Sequence, residues 1–343
     1  MTDPPVFTER RGPSGPKAWR GVHAALVRRL RELALVPALI VLVVLGALVN
    51  DTFLTKANLI GILGSSAALA LVTLAASLIL IGGKFDLSLE STVGIAPALG
   101  AMLVLPVSAS GFGTEYPAAV GLLAVFAAGA AIGAVNGFLV VKLKLNAFVV
   151  TLAMLIVLRG LQVGMTEGRT LFGMPDAFVA LATTTFLEIP ASVWLAGAAF
   201  AVAGFVLRHH RTGRALYVIG GNPEAARAAG IRVDRVLMGV FIIGGVLAAL
   251  GGLVVTGYVG AISANQGDRM IFTVFAAAVI GGISLDGGKG TMAGALTGVL
   301  LLGVVENLLT LAHVEAFWIQ AVYGGIILVS LMRSRLTTGQ AQD

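Results

Sequence analysis

Apolar runs of about 20 residues recur along the whole chain, and no other feature restricts its fold as much. Each is long enough to cross a bilayer as a helix. Inside hydrocarbon the backbone amides must be satisfied within the segment itself, so the chain is read as an all-α integral membrane protein. Charge usage agrees: 12% of the 343 residues are charged, against roughly 25% in soluble domains. Forty-five glycines suit helices that pack closely in lipid. The absence of cysteine excludes disulfides, thiolate metal sites and a cysteine nucleophile.

Hydropathy places about ten transmembrane helices, at 33–49, 59–81, 87–105, 118–141, 147–165, 191–207, 236–258, 271–283, 292–311 and 317–332. The eighth is short, as a broken or partly re-entrant helix would be. A basic tail over 1–31 precedes the transmembrane domain at 32–333, and a short tail over 334–343 follows it. With the N-terminus inside, the outer loops hold only Lys56, Arg169 and Arg269, and Arg159 lies within a span. The other 19 of 23 Lys and Arg then fall on the inner side, which places both termini in the cytoplasm. His209 and His210 sit among arginines and read as a solvated basic boundary rather than a metal site.

The outer segment 166–190 carries Glu167, Arg169, Asp176 and Glu188 with Phe172, Phe178 and Phe186. It reads either as a hairpin or interfacial helix closing the bundle, or as a docking surface for an external protein. Two stretches resemble each other, LILIGGKFDLSLES after the second span and AAVIGGISLDGGKG after the eighth, each turning at Gly-Gly with one Asp beyond. An internal repeat of this kind places a transport pathway at the repeat interface.

The inner segment 208–235 contains a short helix with both ends marked. Asn222 is its cap, Pro223 suits the first position and Glu224 meets the positive end of the dipole. Gly230 is a left-handed stop, and four alanines between leave the surface smooth. About two turns of helix are marginal alone, so a partner protein is expected to receive it.

Groups able to do chemistry are sparse. Lys289 in LDGGKGT superficially suggests a phosphate loop, but Ile283 stands where that pattern needs its first glycine and Gly290 where it needs Ser or Thr. With no cofactor expected on this chain, energy must come from another subunit or from a gradient. Candidate pathway residues are the polar groups in or beside spans: Asp86, Asn136, Arg159, Glu306 and Asn307, with Arg159 and Glu306 a possible ion pair. A gradient-driven carrier would show more buried carboxylates.

The chain resembles the membrane permeases of ribose-type bacterial ABC importers. The residues that carry the resemblance are GGKFDLSLES at 82–91, TLAMLIVLRG at 151–160, GGNPEAARAAGI at 220–231, VIGGISLDGGKGTMAGALTGVLLLG at 279–303 and FWIQAVYGGIILV at 317–329. The resemblance implies a pair of permease chains in the cytoplasmic (inner) membrane, two ATPase subunits that use ATP, and a periplasmic or lipid-anchored solute-binding protein. It implies that Asn222, Glu224, Ala225, Arg227, Gly230 and Ile231 couple this chain to an ATPase. Arg169 and Arg269 are candidate contacts for the binding protein. The first motif departs from the family at Lys84 and Glu90, each standing where the family motif commonly has glycine, and the acidic residue frequent near Ile271 is absent, Asp268 and Arg269 lying earlier. A monosaccharide or similar small polar solute is the expected cargo; nucleosides or branched-chain amino acids, or a carrier working without an ATPase, are the alternatives.

Overall fold

The computed structural model describes residues 35–315 and, beyond them, residues 318, 321–325, 328 and 332. The predicted tails and half of the tenth span lie outside the described residues. Among those described, six helices are long and apolar enough to cross a membrane and three apolar helices are shorter.

Helix α1 (Val36–Val49) lies at the edge of the bundle, and Phe53 after it plugs the contact beside Gly46. Helix α2 (Lys56–Ile81) is capped by Thr55, whose hydroxyl accepts from the Asn58 amide at 3.4 Å, and is buried over most of its length. Its sequence is small and apolar on every face, which is the pattern of a helix surrounded by others. Helix α3 (Leu89–Val104) follows, then α4 (Ala118–Gly137), ending in a π turn at Phe138–Lys142, and α5 (Ala147–Thr166), capped by Asn146. On the far side of segment 166–190 come α7 (Ala191–His209), two inner helices, α10 (Val233–Val259), α11 (Met270–Ile280) and α12 (Met292–Leu311).

Segment 166–190 is both hairpin and helix: α6 (Asp176–Thr183) buries Phe178, and strands β1 (Thr185–Phe186) and β2 (Ile189–Pro190) pair antiparallel. Phe172 and Phe186 remain exposed on it.

Helices α3 and α11 are half-length. At 1.5 Å per residue they reach about 24 and 16 Å, short of a hydrocarbon core of about 30 Å. Neither begins at an end of the bundle. Helix α10 runs antiparallel to α2, with Gly244 against Ile79 and Gly251 against Val72. Gly244, near the middle of α10, also faces Leu89, so α3 starts at mid-bundle and rises past Gly252, which abuts Val93 and Pro97. The segment between α10 and α11 folds back to the same level, where Gly267 abuts the Glu90 carbonyl. Twice, then, a long helix is followed by a return segment and a half helix, and the two units run in opposite directions. The expected eighth span is this half helix; it ends at Ile280, because Gly281 and Gly282 turn instead. The two similar Gly-Gly turns end at one place: the loop after Gly281-Gly282 brings Gly287 against Gly83.

One inner helix escaped the sequence reading. Helix α8 (Arg211–Gly221) precedes α9 (Pro223–Ala228) and buries Leu216 and Ile219 beneath its charged residues. Its Gly220 lies on the Ile81 carbonyl and the Gly288 amide, so α8 closes a three-way backbone contact with the turns at Gly83 and Gly287.

Backbones also meet where α4 crosses α10. Gly129 faces Gly245 and Gly133 faces the Phe241 carbonyl, leaving no room for a side chain. Gly133→Leu is expected to destabilise the fold by about 1–3 kcal/mol or more, whereas Gly164→Leu, where the site is open, costs little. Thermal unfolding of the two variants in detergent checks this.

Candidate functional site

The start of α11 has no capping side chain of its own, and its Ile271 amide points into the bundle. The Glu90 carboxylate, from the first turn of α3, accepts that amide at 3.1 Å. Its other oxygen is 3.4 Å from the Arg159 guanidinium of α5. The same Arg159 nitrogen lies 3.5 Å from Asp268, and the second donates to the Gln266 carbonyl at 3.1 Å. Gln266 is held in turn: its side-chain amide donates to the Val93 and Gly252 carbonyls at 3.0 and 3.2 Å. One turn beyond Arg159, Gln162 donates to the Ser263 carbonyl at 3.2 Å while its side-chain oxygen, fully buried against Gly94, has no partner among the described residues.

The cluster is open on one side. Side-chain exposure rises from 6% at Glu90 to 17% at Arg159 and 53% at Asp268. Two half-helix N-termini face this spot, so their dipoles add positive potential where Glu90 sits. A guanidinium between two carboxylates, with amide groups beside it, can trade its hydrogen bonds for those of a hydroxylated molecule.

The candidate pathway residues fall into three places. Asp86 and Asn136 come together toward the inner side: Asp86 accepts from the Ser88 amide and hydroxyl at 2.9 and 2.6 Å, and Asn136 donates to that hydroxyl at 2.6 Å. Both are buried, Asp86 on the return segment before α3 and Asn136 in α4. Arg159 is alone of the five in the mid-bundle cluster. Glu306 and Asn307 lie near the outer end of α12, on a cavity of about 530 Å³ shared with Asn58, Ser65 and Tyr258. There Asn58 and Asn307 exchange amide hydrogen bonds of 3.0 and 2.8 Å, and Tyr323 donates to Glu306 at 3.0 Å. The expected Arg159–Glu306 pair is therefore corrected: Arg159 pairs with Glu90 and Asp268, and Glu306 is engaged by Tyr323. Glu90, Gln162, Gln266 and Asp268 were missed as site residues. The available signals were a carboxylate intruding on the glycine-rich motif, and Arg159 and Gln162 three apart on one helix.

The inner segment is built as expected. The Asn222 side chain accepts from the Glu224 and Ala225 amides at 3.0 and 2.9 Å, and Gly230 takes φ +78°. Ala226 is buried, while Asn222, Glu224, Ala225, Arg227 and Gly230 are exposed and Ile231 is half-buried. Arg227 leans to Asp234 at 3.7 Å. Arg169 is exposed beside Glu167, whereas Arg269, which the sequence reading put in an outer loop, is exposed beside Asp268 at the level of the mid-bundle cluster.

Removing Arg159 alone strands a buried carboxylate. Arg159→Gln is expected to cost about 3–5 kcal/mol, and the Glu90→Gln, Arg159→Gln double variant less than the sum of the singles. A double-mutant cycle on thermal stability measures the coupling.

Comparison with known proteins places this architecture. The family described as branched-chain amino acid transport system / permease component matches residues 58–331. The ribose import permease protein RbsC of Escherichia coli (strain K12) is 33% identical over 305 residues, covering 86% of this chain and 91% of that protein. The autoinducer 2 import system permease protein LsrC of Klebsiella pneumoniae is 34% identical over 313 residues, covering 91% and 89%. The L-arabinose ABC transporter permease protein AraH of Azospirillum brasilense is 31% identical over 280 residues, covering 82% and 80%. The chain is a multi-pass membrane protein that belongs to this permease family, and within it to the ribose-type ABC permeases.

Proposed function

We propose that the chain is a permease subunit of an ABC importer for a monosaccharide or a related small polar solute, working by alternating access in the bacterial cytoplasmic membrane. Separate ATPase subunits use the ATP, a second permease chain completes the pathway, and a solute-binding protein delivers the cargo. The chain's relatives, permeases named for ribose, autoinducer 2 and L-arabinose, favour a sugar-like solute.

The observation that carries the ATPase reading is α9. A capped helix of six residues exposes nearly all of its surface, yet α8 fastens it to the inner turns of both half-helix units. A body that pushes on α9 thus moves Gly83 and Gly287 together. Asn222, Glu224, Ala225, Arg227, Gly230 and Ile231 form the contact in this reading. Asp86, Asn136, Arg159, Glu306 and Asn307 belong to the pathway, and Arg169 meets the binding protein, while Arg269 beside Asp268 lies too deep for that contact.

In proteoliposomes holding the permease with its ATPase and binding protein, uptake of ribose is expected to need ATP and no ion gradient. Glu224→Arg is expected to lower uptake about tenfold or more while the ATPases still hydrolyse ATP. Unchanged coupling removes α9 from the ATPase contact, and uptake driven by a gradient alone removes the ABC reading. Charge reversal at Arg169 is expected to weaken the complex with the binding protein and to reduce its salt sensitivity, measured by binding titrations at two ionic strengths.

A further inference from the structure

An exposed carboxylate at the middle of an apolar bundle cannot face lipid without a cost of at least about 2.5 kcal/mol. Asp268 is 53% exposed there, bound to an Arg159 that is itself partly open. The cluster is two carboxylates and, counting Arg269, two guanidiniums, and its Asp268–Arg269 side stands open rather than hidden from solvent. Arg269 beside it is 65% exposed and lies 3.8 Å from the other Asp268 oxygen. Water, a polar molecule or a polar face of the second permease chain must therefore meet Asp268 at this level.

A second polar group on the same helix as Arg159 adds to the demand for hydrogen-bond donors here. Gln162, fully buried on the same helix as Arg159, leaves its side-chain oxygen unpartnered against the second turn of α3. A buried amide oxygen without a donor is costly, and native proteins keep few of them. A donor arriving when α3 and α5 separate would satisfy it. Two helix N-termini, a guanidinium, two carboxylates and amide side chains then converge at one level, where discontinuous helices place polar solutes in other membrane carriers.

We propose that the surface around Arg159 and Asp268 is water-filled in the assembled transporter and is the mid-membrane binding site of a polyhydroxylated solute. The guanidinium donates to solute oxygens, and the Asp268 and Glu90 carboxylates accept from solute hydroxyls. The proposal rests on reading the chain as a solute permease, and it assigns to that activity a site built from residues of the α3 and α11 units.

The cysteine-free chain is a ready background for the test. Asp268→Cys and Arg269→Cys variants, the second leaving Glu90, Arg159 and Asp268 in place, are assembled with ATPase and binding protein in nanodiscs. They are treated with a charged, membrane-impermeant methanethiosulfonate. Val202→Cys on α7, 63% exposed on an apolar face, is the lipid-facing reference. Both test cysteines are expected to label about tenfold faster than the reference, since reaction needs a hydrated thiolate. Trapping the complex with vanadate and ribose-loaded binding protein should slow labelling, whereas vanadate and unloaded binding protein should not. Labelling no faster than at Val202→Cys, or indifferent to ribose, overturns the site. Failure of the wild-type complex to move ribose or another pentose with ATP is a separate result that removes the functional reading, and the labelling rates before trapping still decide whether the surface is wet.

Discussion

A helix that begins inside a membrane bundle brings unpaired amides with it, and this protein does so twice. Its answer is to bury carboxylates. Asp86 receives the Ser88 amide just before α3, and Glu90 receives the Ile271 amide at the start of α11. Each negative charge sits where the helix dipole is positive, which reduces the cost of burying it. The two solutions are linked through α3, since Asp86 lies three residues before its first residue and Glu90 at its second. Arg159, Asn136 and Gln266 are then fixed by what these carboxylates and return segments require.

The same half helices explain why so many glycines concentrate at the inner end. Each return segment has to leave a long helix, reverse and clear its neighbours within a few residues. Gly83 and Gly287 do so at positive φ and touch backbone to backbone, and Gly220 of α8 packs onto the same spot. Side chains there would separate three elements that need one another's backbone groups; the Gly288 amide, for instance, bonds to the Ile81 carbonyl at 2.9 Å. Tyr217 of α8 adds a hydrogen bond to the Gly290 carbonyl at 2.9 Å. The contact is made backbone to backbone, with no side chains between the three elements to yield, which is what the proposed coupling through α8 and α9 needs.

Much of the fold was legible because hydrophobic length is written directly in the sequence. The span at 292–311 coincides with α12, and the cap, proline and stop of α9 are local signals that need no tertiary knowledge. Helix α8 was missed because Arg211 and Arg214 mask an amphipathic pattern whose apolar side is only Leu216 and Ile219 with glycines around them. The site was less legible still. Arg159 and Glu90 are 69 residues apart and Arg159 and Gln266 are 107 apart, and which spans adjoin is set by glycine crossings rather than by the charged residues. Pairing Arg159 with Glu306 matched charge and span but ignored depth: Glu306 lies level with Asn58 at the outer end, Arg159 level with the start of α3.

Depth also bears on the role proposed for the cluster. A structural ion pair in a dry interior is stabilising when its geometry is close and its remaining groups are bonded. Here the guanidinium is shared at 3.4 and 3.5 Å between two carboxylates, and Asp268 stays half open. Such an arrangement is a poor lock, since neither carboxylate holds Arg159 in a two-pronged grip. It suits the solute exchange proposed for this site, because one partner remains when the other is left. Glu90 keeps its bond to the Ile271 amide whichever way the guanidinium turns, so α11 stays anchored as Arg159 moves. The carboxylate that secures the broken helix thereby frees the arginine beside it to engage other groups.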